Sequence, residues 1–482
     1  GNRAAGGVGE SVSLSVRITD AEGRPTIAVP VNWSAQRGTV PAVDSTDDDG
    51  ISNVTVTLPE TPGVDAVTAE ADGVGSTTFT VSTQPVGGSI VFRFLDAGGY
   101  HACGITTTEQ LLCWGYSADG QLGLGSTDLK PFPTLIPGDF RYRRVTGGYY
   151  HSCAFTLATN AYCWGNNSDG RLGTGGTGGQ SDIPVKVMTA ASVDTIQGDT
   201  LIGHQDINLS VQVLQAGWGH SCGIDLSQHV WCWGLNSEGQ LGRGAGAPGS
   251  ARTLASLILS TDLFKYVTVG GQHTCAIALS GSGFCWGYNV AGQLGDGTFA
   301  TNGVPTPISA VNLVFRQDPL VIFRSPDPDF PLPPGPFMAA GYDHTCGITT
   351  LNQTLCWGLN QDGQLGDNTA VSRSTPVGVA GGHTFVAVTA GLRHTCALDT
   401  TGAAWCWGAN DLGQLGRAGG ASRVPVAVDG GLQFAYIKAG ELFTCGVTSE
   451  GAAWCWGDNE YGQLGDGSFT GSDLPVKVAF QP

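Results

Sequence analysis

Seven pairs of cysteines, each pair ten positions apart, constrain this chain more than any other feature. They are Cys103 and Cys113, Cys153 and Cys163, Cys222 and Cys232, Cys275 and Cys285, Cys346 and Cys356, Cys396 and Cys406, and Cys445 and Cys455, which use all 14 cysteines. Each pair brackets a turn segment such as ITTTEQLL or ALDTTGAAW, with residues of strand type on both sides. Two antiparallel strands joined by such a turn set positions i and i+10 opposite one another. In a non-hydrogen-bonded pair the Cα atoms lie about 4.5 Å apart, a span that a disulfide tolerates. Seven disulfides within hairpins are therefore expected, each worth about 2–3 kcal/mol on the chain-entropy model. Zinc ligation asks for cysteines two to four residues apart, converging four to an ion, and fits this spacing poorly. Buried free thiols are the third reading. Disulfides point to an oxidising compartment, so an extracellular, cell-surface or periplasmic location is predicted.

Alignment on the cysteine pairs exposes a repeat: Ala/Gly-Gly-x-x-His-x-Cys, a turn, then Cys-Trp-Gly-x-x-x-x-Gly-Gln-Leu-Gly. Successive first cysteines are 50, 69, 53, 71, 50 and 49 residues apart, so the unit is about 50 residues with two longer insertions. Each unit offers four short strands, read in the order Pro-Val-x-Val, a run such as FVAVTAG, HTCAL, and the strand ending WCWG. Four-stranded units repeated seven times fit blades around an axis. A linear solenoid is the alternative and would need polar caps, which are not evident. The first unit, at SIVFRFLDAGG, has no Pro-Val-x-Val strand before it, and the chain ends LPVKVAFQP. The C-terminal strand is therefore predicted to complete the first blade and remove two exposed edges.

These repeats resemble those of the regulator of chromosome condensation family, a seven-bladed propeller. The resemblance covers about residues 87–482 and rests on the Trp-Gly-x-x-x-x-Gly-Gln-Leu-Gly signature, with Arg171 in place of one Gln and Phe443 in place of one His. The paired cysteines depart from the eukaryotic members, and the chain resembles a secreted bacterial variant stiffened by disulfides. The resemblance also brings in a bacterial inhibitor of β-lactamase built on such a propeller, and a nuclear exchange-factor role that the disulfides and acidic charge disfavour.

Six histidines stand two residues before a first cysteine: His101, His151, His220, His273, His344 and His394. A ring of metal or proton ligands is one reading. Buried imidazoles bonding a neighbouring blade's backbone is the favoured one, because one histidine per blade is too far from the next to share an ion. The Trp of each Cys-Trp-Gly motif (Trp114, Trp164, Trp233, Trp286, Trp357, Trp407 and Trp456) is read as packing between blades rather than as a sugar platform. The Gly-Gln-Leu-Gly turns ask for glycine at positive φ, with Leu plugging the blade interface. No nucleophile elbow, Walker loop, zinc-protease or haem motif occurs, so no catalytic residue, cofactor or metal is assigned.

Residues 1–86 contain no cysteine and carry period-two runs, SVSLSVRIT, VPVNWSA, SNVTVTL, DAVTAEA and STTFTVST, parted by turn residues. They predict a small β-sandwich resembling bacterial immunoglobulin-like domains of invasin type. Asp47, Asp48 and Asp49 are read as a turn rather than a cation site. The predicted fold is thus all-β, a seven-bladed propeller over 87–482 preceded by an Ig-like sandwich over 1–86.

With 22 Lys and Arg against 40 Asp and Glu, the net charge is −18, which disfavours nucleic acid and anionic membranes. No run of eighteen apolar residues suggests a transmembrane segment. The chain opens GNRAAGGVGE, without Met or signal segment, and reads as a processed or trimmed form. The two insertions, near 176–212 and 299–338, are expected at equivalent places on non-adjacent blades. The second is Pro-rich and apolar, and it supplies the candidate partner-binding residues Ile322, Phe323, Phe330, Pro331, Leu332 and Phe337. The reading that follows is a non-enzymatic secreted or surface protein. Its propeller is a binding platform for protein partners, self-assembly included, and its first domain a spacer or assembly arm. An enzyme inhibitor or receptor, and a carbohydrate-binding adhesin using aromatics such as Trp218 and Tyr342, are the alternatives.

Overall fold

The computed structural model describes residues 3–7, 11–20, 24–36, 38–58, 63–84, 90–138, 140–197, 200–244, 251–309, 313–317 and 337–481. All regular elements among them are strands, and no helix is long and apolar enough to cross a membrane. The chain divides into two compact units, one of residues 1–90 with 480–482, the other Val91–Ala479.

In the first unit the alternating runs become the strands Ser11–Arg17, Pro30–Ala35, Ile51–Thr57, Gly63–Ala71 and Gly75–Gln84, joined by Arg3–Gly7 and Val43–Ser45. They form a five-stranded and a two-stranded sheet. Alternation puts every second side chain inside, as Ile51–Thr57 shows in burying Ser52, Val54 and Val56. The core gathers Trp33, Val31, Val56, Val67 and Phe79. The indole N–H of Trp33 donates to Ser52 Oγ at 3.0 Å, and Ser52 in turn donates to Asp44 at 2.7 Å, so the buried polar atom is satisfied. Asp47 builds a turn as expected: its carboxylate accepts from the N–H groups of Asp49 and Ile51.

In the second unit seven sheets follow in chain order, each built on four strands of one repeat. The first comprises Phe92–Ala97, His101–Thr106, Leu111–Gly115 and Lys130–Leu135. The seventh comprises Phe434–Ala439, Phe443–Thr448, Ala453–Gly457 and Ser472–Lys477. Each cysteine faces its partner across the hairpin, and all seven pairs are bonded with Cα atoms 4.0–4.2 Å apart.

Two expectations about the strands need correction. The Pro-Val-x-Val strand is the last of each sheet, not the first, since Ser422–Ala427 pairs with Ala404–Gly408 of its own repeat. With the frame moved by one strand nothing is left over: Ser472–Lys477 pairs with Ala453–Gly457, and the first sheet has its own fourth strand, Lys130–Leu135. The sequence KPFPTL hid that strand because it lacks the Pro-Val-x-Val pattern.

Closure comes instead from side-by-side packing and from a circuit of backbone hydrogen bonds. The turn after each first strand donates to the next: Gly99 to Gly148, Tyr149 to Gly217, Trp218 to Gly270, Gly271 to Gly341, Tyr342 to Gly391, and Leu392 to Glu441. Glu441 then donates back to Gly98 at 3.2 Å. The circuit explains a glycine in each turn. A Cβ on Gly98 would stand 2.5 Å from the Gly148 carbonyl, and one on Gly391 would stand 2.4 Å from that of Gly440.

The insertions leave at equivalent places, between the last strand of one sheet and the first strand of the next. One forms a hairpin, Met188–Gln197 with Thr200–Asn208, which adds to the outer strand Arg252–Leu257 of the third sheet. The other joins Asn302–Pro307 to Met338–Ala340.

Candidate partner-binding face

The repeated polar residues turn out to be clasps between neighbouring sheets. His101 Nε2 lies 2.7 Å from Ser152 Oγ of the next sheet, and Ser152 donates to the Gln121 carbonyl at 2.8 Å. Because the serine proton is spent on Gln121, the imidazole donates from Nε2. His151, His220, His273, His344 and His394 repeat the contact with Ser221, Thr274, Thr345, Thr395 and Thr444 at 2.7–2.9 Å. The expected backbone acceptor is thus a side-chain hydroxyl, placed directly before six of the seven first cysteines. All six rings are fully buried, and burial lowers their pKa, to about 3 for His101 and about 4 for His344. They stay neutral at neutral pH.

The same carbonyl takes the indole. Trp164 Nε1 donates to the Gln121 carbonyl at 2.8 Å, and Trp407 to that of Gln364 at 2.9 Å. Arg171 keeps the clasp, its backbone carbonyl accepting from Trp233 at 2.9 Å, but not the Gln side-chain bond, in which Oε1 accepts a turn N–H such as that of Asp119; its guanidinium donates instead to the Trp218 carbonyl at 3.1 Å. The leucine of the motif, Leu122, is buried against Trp164 as expected. Where Phe443 replaces His, the first sheet carries Ala102 where others carry Ser or Thr, so donor and acceptor are lost together.

With those side chains committed inside, the functional candidates are the residues that break the repeat at the turns around the axis. They follow the circuit glycines: Tyr100, Tyr149, Tyr150, Trp218, Tyr342, Asp343, Leu392, Arg393 and Glu441. Five of them, Tyr149, Trp218, Tyr342, Leu392 and Glu441, line a depression of about 100 Å³ together with the circuit glycines. Aromatic rings form a continuous arc. Tyr116 and Tyr461 have centroids 4.8 Å apart, Tyr461 and Tyr100 5.4 Å, Tyr100 and Tyr149 5.4 Å, Tyr149 and Trp218 6.3 Å, and Trp218 and Tyr342 6.5 Å. Each of these rings is half-buried, and the hydroxyls of Tyr100 and Tyr149 lie 3.0 Å apart in a hydrogen bond.

Two carboxyls sit in this arc. Burial pushes Glu441 up to about 7, against the hydroxyls of Tyr149 and Tyr100, which pull it down. Its Oε2 is buried without a hydrogen-bond partner. Burial also raises Asp343 to about 6, while Gln293 Nε2 donates to it at 3.0 Å. Arg393 pairs with Asp362 at 3.5 Å and with Asp411. The arrangement offers flat apolar area, hydroxyl groups and one unsatisfied acceptor.

The insertion residues fare differently. Ile322, Phe323, Phe330, Pro331 and Leu332 lie outside the described residues. Phe337 is 2% exposed and packs with Met338, Phe315 and Trp357, so it belongs to the core and not to a docking loop. It stands directly before the first strand of the fifth sheet, Met338–Ala340, which the Pro-rich text around it concealed. The tyrosine arc draws on variable positions of two motif segments, Gly-x-x-His for Tyr100, Tyr149, Trp218 and Tyr342, and the stretch after Trp-Gly for Tyr116 and Tyr461.

The pattern described as the regulator of chromosome condensation (RCC1) repeat matches residues 109–155, 160–199, 352–398, 401–447 and 450–482. A second pattern of the same repeat matches residues 92–121, 211–240, 338–364, 385–414 and 434–463. The probable E3 ubiquitin-protein ligase HERC4 of Homo sapiens is 30% identical over 170 residues, 34% of this chain but 14% of that protein. The ultraviolet-B receptor UVR8 of Arabidopsis thaliana is 26% identical over 166 residues, 34% of this chain and 33% of that one. The chain thus spans only a small part of the first of these relatives and a third of the second. Among solved structures, human WBSCR16 superposes with a TM-score of 0.63 at 19% identity, covering 77% of this chain and 94% of that one. Prp20p from Saccharomyces cerevisiae gives 0.62 at 20%, covering 78% and 87%.

Proposed function

This chain belongs to the RCC1 repeat family, and on that premise we propose that it is a non-enzymatic interaction platform whose protein partner docks on the tyrosine face. In this reading the propeller has seven blades, the first unit is an Ig-like spacer or assembly arm, and the protein works outside the reducing cytosol. The observation that carries it is the arc from Tyr461 to Tyr342 enclosing Glu441. Half-buried tyrosine and tryptophan are the residues that dominate protein interfaces. A buried Glu441 Oε2 without a partner is an acceptor waiting for a donor from another molecule. The fitting partner presents an apolar or aromatic segment with a lysine, arginine or hydroxyl donor reaching Glu441. Seven disulfides support the oxidising location. The Prp20p structure was described together with that protein's binding properties to Gsp1p and histones, which is consistent with protein binding as the use of such a propeller.

Photo-crosslinking on native material tests this. A benzophenone amino acid at Tyr149 or Trp218 should crosslink to a protein, while one at exposed Leu474 on an outer strand should not. Equal crosslinking from all three positions would remove the face from the proposal. A carbohydrate ligand is the second reading, favoured by the adjacent half-buried rings of Trp218 and Tyr342. Glycan-array binding lost in Trp218→Ala, without any protein crosslink, would select it.

A further inference from the structure

A second cavity, of about 290 Å³, occupies the axial channel between the first strands of the sheets. Its walls are partly apolar, with Phe94, Val213, Leu214 and Phe337 among them. Its polar groups are the cations Arg144, Lys265 and Lys438, the phenols of Tyr266 and Tyr436, and the amides of Gln212, Gln215 and Gln317, with no carboxylate among them. The guanidinium of Arg144 lies over the Phe94 ring, 5.0 Å from its centroid, and Phe94 in turn packs on Tyr436 with centroids 4.8 Å apart. Tyr436, Tyr266 and Gln215 face the same cavity. Among the described residues, Arg144 makes no hydrogen bond or ion pair, and the two phenol hydroxyls make no hydrogen bond.

The charges around Arg144 do not neutralise it. Arg93 and Arg143 are the charged groups that bear on it, both of its own sign, and with burial they lower its pKa to about 10. Tyr436 favours the charged form. The buried carboxylate nearby, Asp96, is held by Lys438 at 3.3 Å and by the Ala97 N–H at 2.8 Å. Lys265 and exposed Gln212 stand at the mouth. A guanidinium in an enclosed space is costly unless something pairs with it. Here a cation and two hydroxyl donors converge on a space walled by rings, in a chain whose overall charge is −18.

We propose that this cavity binds a small carboxylate with an apolar, ring-sized body, its carboxylate on Arg144 and the hydroxyls of Tyr266 and Tyr436, its body against Phe94 and Leu214. The volume lies at the lower edge of ordinary ligand pockets, so a single small molecule fits and a peptide segment does not. The cavity adjoins the depression under the tyrosine face and shares Gln215, Tyr266 and Lys438 with it, but its occupant is a small molecule and its test reads no protein partner.

The test titrates phenylacetate into the full chain at neutral pH and physiological salt, read by saturation-transfer difference NMR, with inorganic phosphate as competitor. Saturation of the phenyl protons is expected, with affinity reduced about tenfold or more in Arg144→Gln and unchanged in the exposed control Arg252→Gln on an outer strand. Tyr266→Phe removes a hydroxyl and little packing, so it keeps the test alive if Arg144→Gln does not fold; it should weaken binding several-fold. No binding, equal binding in both site variants, or displacement of phenylacetate by phosphate at lower concentration than phenylacetate itself would each overturn the assignment.

Discussion

The indole N–H of Trp114 donates to the carbonyl of Gln463, 3.0 Å away in space and 349 positions away in sequence. It is the same clasp that joins every other pair of neighbouring sheets, here closing the last sheet on the first. Among the described residues no strand is exchanged across this seam, which is held by the Trp114 clasp, the backbone bonds from Glu441 to Gly98, Phe92 to Gly451 and Gly467 to Pro131, the Lys438–Asp96 pair and apolar packing. Trp114→Phe removes the donor and leaves a buried carbonyl unpaired, a loss of about 1–3 kcal/mol. Chemical denaturation should show a lower midpoint for Trp114→Phe. An unchanged midpoint would mean that the seam does not depend on this bond.

The seam also lacks the histidine–hydroxyl pair, with Phe443 and Ala102 in its two places. Phe443→His alone would bury an imidazole donor with no acceptor and is expected to cost about 1–3 kcal/mol. Adding Ala102→Thr supplies the acceptor seen in the other sheets and should recover part of the loss. A double-mutant cycle measures this directly. A coupling energy near zero would show that Phe443 and Ala102 are not the two halves of one exchange.

Much of this is legible in the sequence because the repeat is a physical template. Ten-residue spacing sets each cysteine opposite its partner, and the Trp and Leu of the motif do pack between sheets as their pattern suggests. The strand frame is misleading because the first sheet's outer strand, KPFPTL, does not share the pattern of its counterparts. The hydroxyl beside each cysteine gives no signal because Ser and Thr are ordinary strand residues until a buried imidazole is placed 2.7–2.9 Å away. Phe337 looks like a surface residue because prolines surround it. The tyrosine arc cannot be assembled from sequence, since its neighbours come from different repeats, as far apart as Tyr100 and Tyr461, and meet only when the ring closes.

The buried histidines set a sign for acid stability. Their folded pKa is lowered, to about 3 for His101, His220, His273 and His394, below an unfolded value near 6.5. Between those values the unfolded chain binds more protons, so stability falls as pH drops from 6.5 towards 3. Glu441 and Asp343 act oppositely, because raised carboxyl pKa values stabilise below the unfolded value and lose that contribution as pH rises through about 7 and 6. Six histidines outweigh two carboxyls. Thermal melting should therefore fall steadily from pH 6.5 to pH 4, and less so in His344→Gln. A flat profile would contradict the neutral clasp.

The disulfides should be worth more together than singly. Each closes a short hairpin already aligned by its strands, contributing about 2–3 kcal/mol. Intact protein should show no alkylatable thiol by mass spectrometry, and reduction should lower the melting temperature. Cys396→Ala with Cys406→Ala removes one staple and should destabilise modestly without loss of fold. Free thiols throughout unreduced material would remove the argument for an oxidising location.

The pair Lys438 and Asp96, 3.3 Å apart, joins the seventh sheet to the first inside the channel, with side chains 21% and 2% exposed. Burial raises the Asp96 pKa while Lys438 pulls it down, so its charge depends on its partner. Lys438→Met would strand that carboxyl, at a cost of about 3–5 kcal/mol if it stays ionised. The carboxyl can escape by taking a proton, so the loss should be greatest above neutral pH and shrink in acid. Asp96→Asn in the Lys438→Met background removes the stranded charge and should restore stability at high pH, which denaturation at pH 5 and pH 8.5 would resolve. If Lys438→Met costs the same at both pH values and Asp96→Asn recovers nothing, the pair is not what holds that charge in the channel.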